Sequence, residues 1–128
     1  MSELTERDLT RLATCHVNLQ KVVTKVSRQT PLMVVCGFRP EEKQNEAFKN
    51  NFSQVKWPNS KHNNMQHDKI PYSLAVDLAP LPLNWHNIRH FYELAAYMWA
   101  ESTKDGVRLR WGGSFSFGDY GHYELMGY

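Results

Sequence analysis

One carboxylate constrains this chain more than any other residue: Asp77 lies inside the apolar run Leu74-Ala75-Val76-Asp77-Leu78-Ala79. The run has the length and composition of a strand bound for the interior. An ionised carboxylate in such a place is costly unless something positive meets it. Alternation along the strand puts Leu74, Val76 and Leu78 on one side and Ala75, Asp77 and Ala79 on the other. Asp77 therefore stands between two small residues, with open space around it. A metal ion is the favoured partner, and a structural ion pair is the alternative.

Two further stretches offer companions. His62 falls in the polar, loop-forming run Ser60-Lys61-His62-Asn63-Asn64. Near the C-terminus, "FGDYGHYELMGY" places Asp119 three residues before His122, and a strand starting at His122 sends His122 and Glu124 to the same side. Two imidazoles and one carboxylate make a three-ligand set of the kind that holds catalytic zinc and leaves a fourth position to water. Asp119, close by and unligated, is the candidate general base and acid. Plainer readings stand beside these: a histidine in an Asn-rich loop is usually solvated, Asp before Tyr-Gly also suits a turn cap, and Arg39 reads as a surface residue of the turn Gly37-Phe38-Arg39-Pro40. Glu124 is expected to orient a ligand or an arginine, with a sheet salt bridge as the alternative. Cys36, at a strand end, is a soft ligand or, more commonly, a small buried residue. His86 and His90 stand at i and i+4, but Asn87 excludes an H-E-x-x-H motif and both oppose the apolar face, so solvent exposure is expected. His16 is expected in the core.

At 128 residues and 41% hydrophobic content, the chain supports one compact core and one domain over 1–128, with no separate wall-binding module. Thr5-Glu6-Arg7-Asp8 has the form of a capping box, and Leu9, Leu12, His16, Leu19, Val23 and Val26 predict a single helix over 6–27. A strand at 32–36, a helix from Glu41 to Asn50, a long loop to Tyr72 and the Asp77 strand follow. A second long helix is predicted from near Asn84, with Ile88, Phe91, Ala95, Met98 and Trp99 on one face, and short strands at 107–111 and 120–126. Helices and strands without regular alternation imply an α+β fold, with an antiparallel sheet partly covered by helices.

The net charge of +2 is too small to argue for a nucleic-acid binder, and no aromatic-basic motif supports one. No apolar run reaches the length of a membrane span, so no membrane insertion is expected. The chain shows no charged n-region followed by an apolar h-region, so no signal peptide is expected; Cys15 and Cys36 are read as reduced thiols of a protein held in the cytosol.

Five pieces of the sequence, taken in order, are together far more specific than any one alone. They are Cys36-Gly37-Phe38-Arg39, Ser60-Lys61-His62, Ser73-Leu74-Ala75-Val76-Asp77-Leu78, Arg110-Trp111-Gly112-Gly113 and Asp119-Tyr120-Gly121-His122-Tyr123-Glu124. In these the chain resembles the D-Ala-D-Ala carboxypeptidase-like zinc peptidases, which include VanY-type carboxypeptidases and phage L-alanyl-D-glutamate endopeptidases. The resemblance implies a Hedgehog/DD-peptidase-like fold and one zinc ion on His62, Asp77 and His122. It also implies Asp119 as the base, Arg39 as the group that meets the developing oxyanion, and Ser60 as a substrate-binding residue. The expected activity is that of an endolysin cutting peptidoglycan stem peptides between L-Ala and D-Glu, with D-Ala-D-Ala carboxypeptidase or dipeptidase action and a non-catalytic zinc-bearing wall-binding module as alternatives. Such a protein is expected to be a monomer that waits in the host cytoplasm until a holin opens the way to the periplasm. The sequence departs from the usual pattern by the fifteen-residue separation of His62 and Asp77. Residues 63–71 then form an insertion, and His67 is a rival ligand within it. Ser73, Ser114 and Gly121 also stand where relatives often carry Gly, Asp and Pro.

Overall fold

The structure is a computed structural model that describes residues 4–66 and 71–127. Its elements in chain order are α1 (Glu6–Leu12), α2 (Val17–Ser27), β1 (Leu32–Cys36), α3 (Glu41–Lys49), β2 (Ala75–Pro80), α4 (Ile88–Lys104), β3 (Leu109–Trp111) and β4 (His122–Leu125), with 3-10 turns at Lys61–Asn63 and Gly112–Ser114. The four strands form one antiparallel sheet in the order β1-β2-β4-β3, the expected α+β architecture.

The predicted helix over 6–27 is two helices. Thr5 and Asp8 close the expected capping box, with Asp8 N–H donating to Thr5 Oγ1 at 3.1 Å and Thr5 N–H to Asp8 Oδ2 at 2.9 Å. The break follows from tertiary pairing that no periodicity records. Thr14 Oγ1 donates to Arg11 O and accepts from Phe38 N–H, and Ser73 exchanges backbone hydrogen bonds with Thr14 and His16. His16 then starts α2 by accepting from Asn18 N–H at 3.0 Å through Nδ1. It is half-buried and packs its ring on Tyr72, so it is a helix cap and not the expected core histidine. Leu9 is exposed, while Leu12, Leu19, Val23 and Val26 hold the predicted stripe against the sheet.

α1 also guards an edge of the sheet. β1 has a neighbour on one side only, and on its free side Val34 N–H donates to Asp8 Oδ1 at 2.9 Å while Val34 O accepts from Arg11 Nη1 at 3.1 Å. Both backbone groups of that residue are thereby satisfied without another strand. In α4, Phe91, Leu94 and Met98 are buried, but Ile88 and Trp99, predicted for the same face, are exposed, and Ala95 is half-buried. The helix begins at the Asn87 cap, where Asn87 Oδ1 accepts from His90 N–H. The core so formed puts α2 and α4 behind the sheet, leaving its other face at the β2–β4 centre for polar groups.

Candidate metal centre

β2 and β4 pair so that Asp77 and His122 are direct cross-strand partners, and Glu124 lies opposite Ala75. Their side chains share one face of the sheet, as alternation requires. His62 arrives from elsewhere. Ser60 caps the turn Lys61–Asn63 by accepting from His62 N–H at 3.2 Å, and Asn63 Oδ1 accepts from Ser60 N–H. Arg39 N–H donates to His62 O at 2.8 Å and Leu74 N–H to Lys61 O at 3.0 Å. The turn is thus pinned on both sides, and the His62 ring is buried.

Three atoms converge there. His62 Nε2 is 3.1 Å from Asp77 Oδ1, His122 Nδ1 is 3.1 Å from the same oxygen, and the two nitrogens are 3.2 Å apart. For a tetrahedral zinc with bonds of about 2.0–2.1 Å, ligand atoms stand roughly 3.3 Å from one another. The triangle fits that ion. Hydrogen placement supports the same reading. His62 Nδ1 lies 2.8 Å from Gly37 O, which can only accept, so Nδ1 carries a proton. His122 Nε2 lies 2.8 Å from Glu124 Oε1, likewise an acceptor. In their neutral forms both rings therefore turn a lone pair toward Asp77 Oδ1, itself a lone-pair donor. Three lone pairs facing one another need a cation or extra protons between them. Carbonyl and carboxylate partners behind ligating histidines fix the ring orientation in just this way.

The titration behaviour of these groups without metal records the same demand. Burial alone would depress His62, but the charge and hydrogen bond of Asp77 raise it to about 10. His122 is raised against its burial to about 8 by hydrogen bonds to Asp77 and Glu124. Asp77 is held well below the carboxylate range despite burial, by the charge of His62 and the hydrogen bonds of both histidines. Without a metal, protons shared with Asp77 would meet the same charge requirement.

Around this floor opens a cleft of about 690 Å³, whose walls include Arg39, Phe52, Ser60, Phe117 and Asp119. The Asp119 carboxylate is nearly half exposed, with Oδ2 3.9 Å from His122 Nδ1. Partial burial and the negative charge of Asp77 raise its pKa. Arg39 Nη2 donates to Asp77 Oδ2 at 3.4 Å and Nη1 to Gln44 Oε1 at 3.0 Å. Ser60 lines the cleft while its hydroxyl caps the His62 turn. Glu124 is bound to His122 and has Lys61 Nζ at 3.9 Å. Cys36 is half-buried beside the triangle; burial would raise its thiol, but contact with His62 brings the pKa down. His67 lies outside the described residues. His86 is exposed, as expected, and His90 is half-exposed at the start of α4.

Two contributors have roles that the sequence did not reveal. The first is the Gly37 carbonyl that orients His62; a side chain at Gly37 would press on Arg11 O and the Thr14 hydroxyl, so the backbone can pass there only as glycine. The second is Gln44, fully buried in the otherwise polar α3, which holds Arg39, Asn63, Ser53 and Val55 together.

A family model of the phage L-alanyl-D-glutamate peptidases matches residues 1–125. Among solved structures, the chain is similar to the L-Ala D-Glu endopeptidase ChiX of Serratia marcescens. The TM-score is 0.81 and the identity 23%, and the match covers 98% of this chain and 90% of that one. That likeness shows the fold. No curated protein matches the sequence.

Proposed function

The chain belongs to the phage L-alanyl-D-glutamate peptidase family, and we propose that it is a zinc-dependent endolysin hydrolysing the L-Ala–D-Glu bond of peptidoglycan stem peptides. The observation that carries this reading is the triangle of His62 Nε2, Asp77 Oδ1 and His122 Nδ1, with edges of 3.1–3.2 Å and its two histidines oriented from behind. These three atoms would hold one zinc ion, which supplies a Lewis acid and lowers the pKa of water toward about 7.

The remaining work falls to the rim. Asp119, with its raised pKa, accepts the proton of the attacking water and returns it to the leaving amine. Arg39, held by Gln44, presents its guanidinium to the scissile carbonyl oxygen as negative charge builds there. Ser60 holds the stem peptide along the cleft wall. Peptidoglycan is the partner, the catalytic domain acts as a monomer, and a holin admits it from the host cytoplasm to the periplasm. No helix among the described residues is long and apolar enough to cross a membrane.

Digestion of purified muropeptides followed by mass spectrometry tests the reading. We expect cleavage between L-Ala and D-Glu; release of free D-Ala with that bond intact would move the assignment to a carboxypeptidase. Binding to walls with no bond cut would make the chain a recognition module.

A further inference from the structure

Cys36 takes no part in the chemistry above, yet the sheet directs it toward the same centre. From Leu32 to Val34, β1 pairs residue for residue with Pro80 to Leu78, and uninterrupted pairing would set Val35 opposite Asp77. A bulge between Val34 and Cys36 sets Cys36 there instead. Bulges of this kind re-aim side chains beside active sites. Here the result is that the Cys36 sulfur, a His62 ring nitrogen and an Asp77 carboxylate oxygen all lie within 4.8 Å of one another. Cys15, the other thiol, is buried between the carbonyls of Arg11 and Ala75.

We infer that Cys36 is a fourth protein donor to the cation held by His62, Asp77 and His122, one that exchanges with water. The inference rests on the metal reading above. A cysteine has a single side-chain torsion to its sulfur, so one rotation carries the thiol between donating and withdrawn positions. On donation the thiol releases its proton to solvent, the sulfur lone pair forms the bond to the cation and one water leaves; nothing is oxidised or reduced. Sulfur in the fourth position gives the closed four-ligand pattern of resting structural sites, and its withdrawal restores the three-ligand pattern that catalysis uses. Thiolate donation also tilts the site toward softer metals.

Cobalt(II) reports on this directly. One equivalent added to the metal-free protein should give visible d–d bands of a low-symmetry site together with an intense near-ultraviolet sulfur-to-cobalt charge-transfer band, and Cys36→Ser should lose the charge-transfer band alone. Visible bands without the charge-transfer band in the unsubstituted protein would overturn the donor role of Cys36 and leave the metal centre standing. Absence of both would overturn the metal reading and this inference with it. A measurement that needs no variant is alkylation by iodoacetamide, with the buried Cys15 as internal control: zinc should slow the labelling of Cys36, and an unchanged rate would overturn the proposal.

Discussion

The floor of the cleft and its rim are built on opposite terms. On the floor, Asp77 and His122 are cross-strand partners on the two central strands, and His62 is pinned by backbone hydrogen bonds on both sides of its turn. On the rim, Asp119 and Phe117 stand in the segment between the second 3-10 turn and β4, and Phe52, which follows α3, is 83% exposed. Under the proposed function the difference separates two tasks. Gripping a cation needs donor atoms held to a few tenths of an ångström, which a sheet provides. Receiving a polymeric substrate needs accessible groups, which loops provide.

That separation can be broken by mutation. The largest effect is expected at the floor: His122→Ala should abolish both metal retention, read by metal analysis after dialysis, and wall hydrolysis, read by turbidity loss. Asp119→Asn should keep the metal and lower kcat by about 10²–10⁴-fold, the range for a positioned general base. Equal loss of metal in both variants would erase the distinction between floor and rim. Glu124→Gln, which weakens the partner of His122 Nε2, should lower metal affinity by about 10–100-fold in a competition with a chelator.

Protonation also distinguishes the floor from the rim. In the metal-free protein the folded-state values of about 10 for His62 and about 8 for His122 lie above the ordinary 6.5. Metal binding must displace these protons, so affinity should rise with pH up to that range. The stability sign follows the same values. The contribution of these two raised groups is fully present below 6.5 and is lost as pH climbs through about 8 and 10. Chelator-treated protein should therefore become easier to unfold in urea between pH 7 and 10, while metal-loaded protein should resist that change. The smallest effect belongs to the rim. Phe52→Ala should change stability by no more than about 0.5 kcal/mol, whereas Leu19→Ala in the core should cost about 2–5 kcal/mol.

The sequence made some of this legible and hid the rest for physical reasons. Asp77 stood out because a charge inside an apolar strand has few explanations, and the shared side of His122 and Glu124 followed from strand alternation alone. The α1–α2 break was hidden because Thr14 and His16 are tied to Phe38 and Ser73, partners 24 and 57 positions away, while the apolar spacing runs on through the gap. Trp99 fits the helical stripe of α4 yet points outward, since spacing says which residues align and not how wide the buried face is. Gln44 in a polar helix looks like any solvated residue until its amide is seen bridging Arg39 and the loop after α3. The bulge before Cys36 has no signature at all in Met33-Val34-Val35-Cys36.

Asp8 has a consequence that reaches well beyond its own helix. An outer strand is free to slide against its single neighbour, and a slip of one position would exchange the facing of Val35 and Cys36 and carry the Gly37 carbonyl away from His62. By holding the Val34 amide, Asp8 acts as a peg against that slip. The first helix thereby proofreads the alignment of a candidate cation site that it never touches.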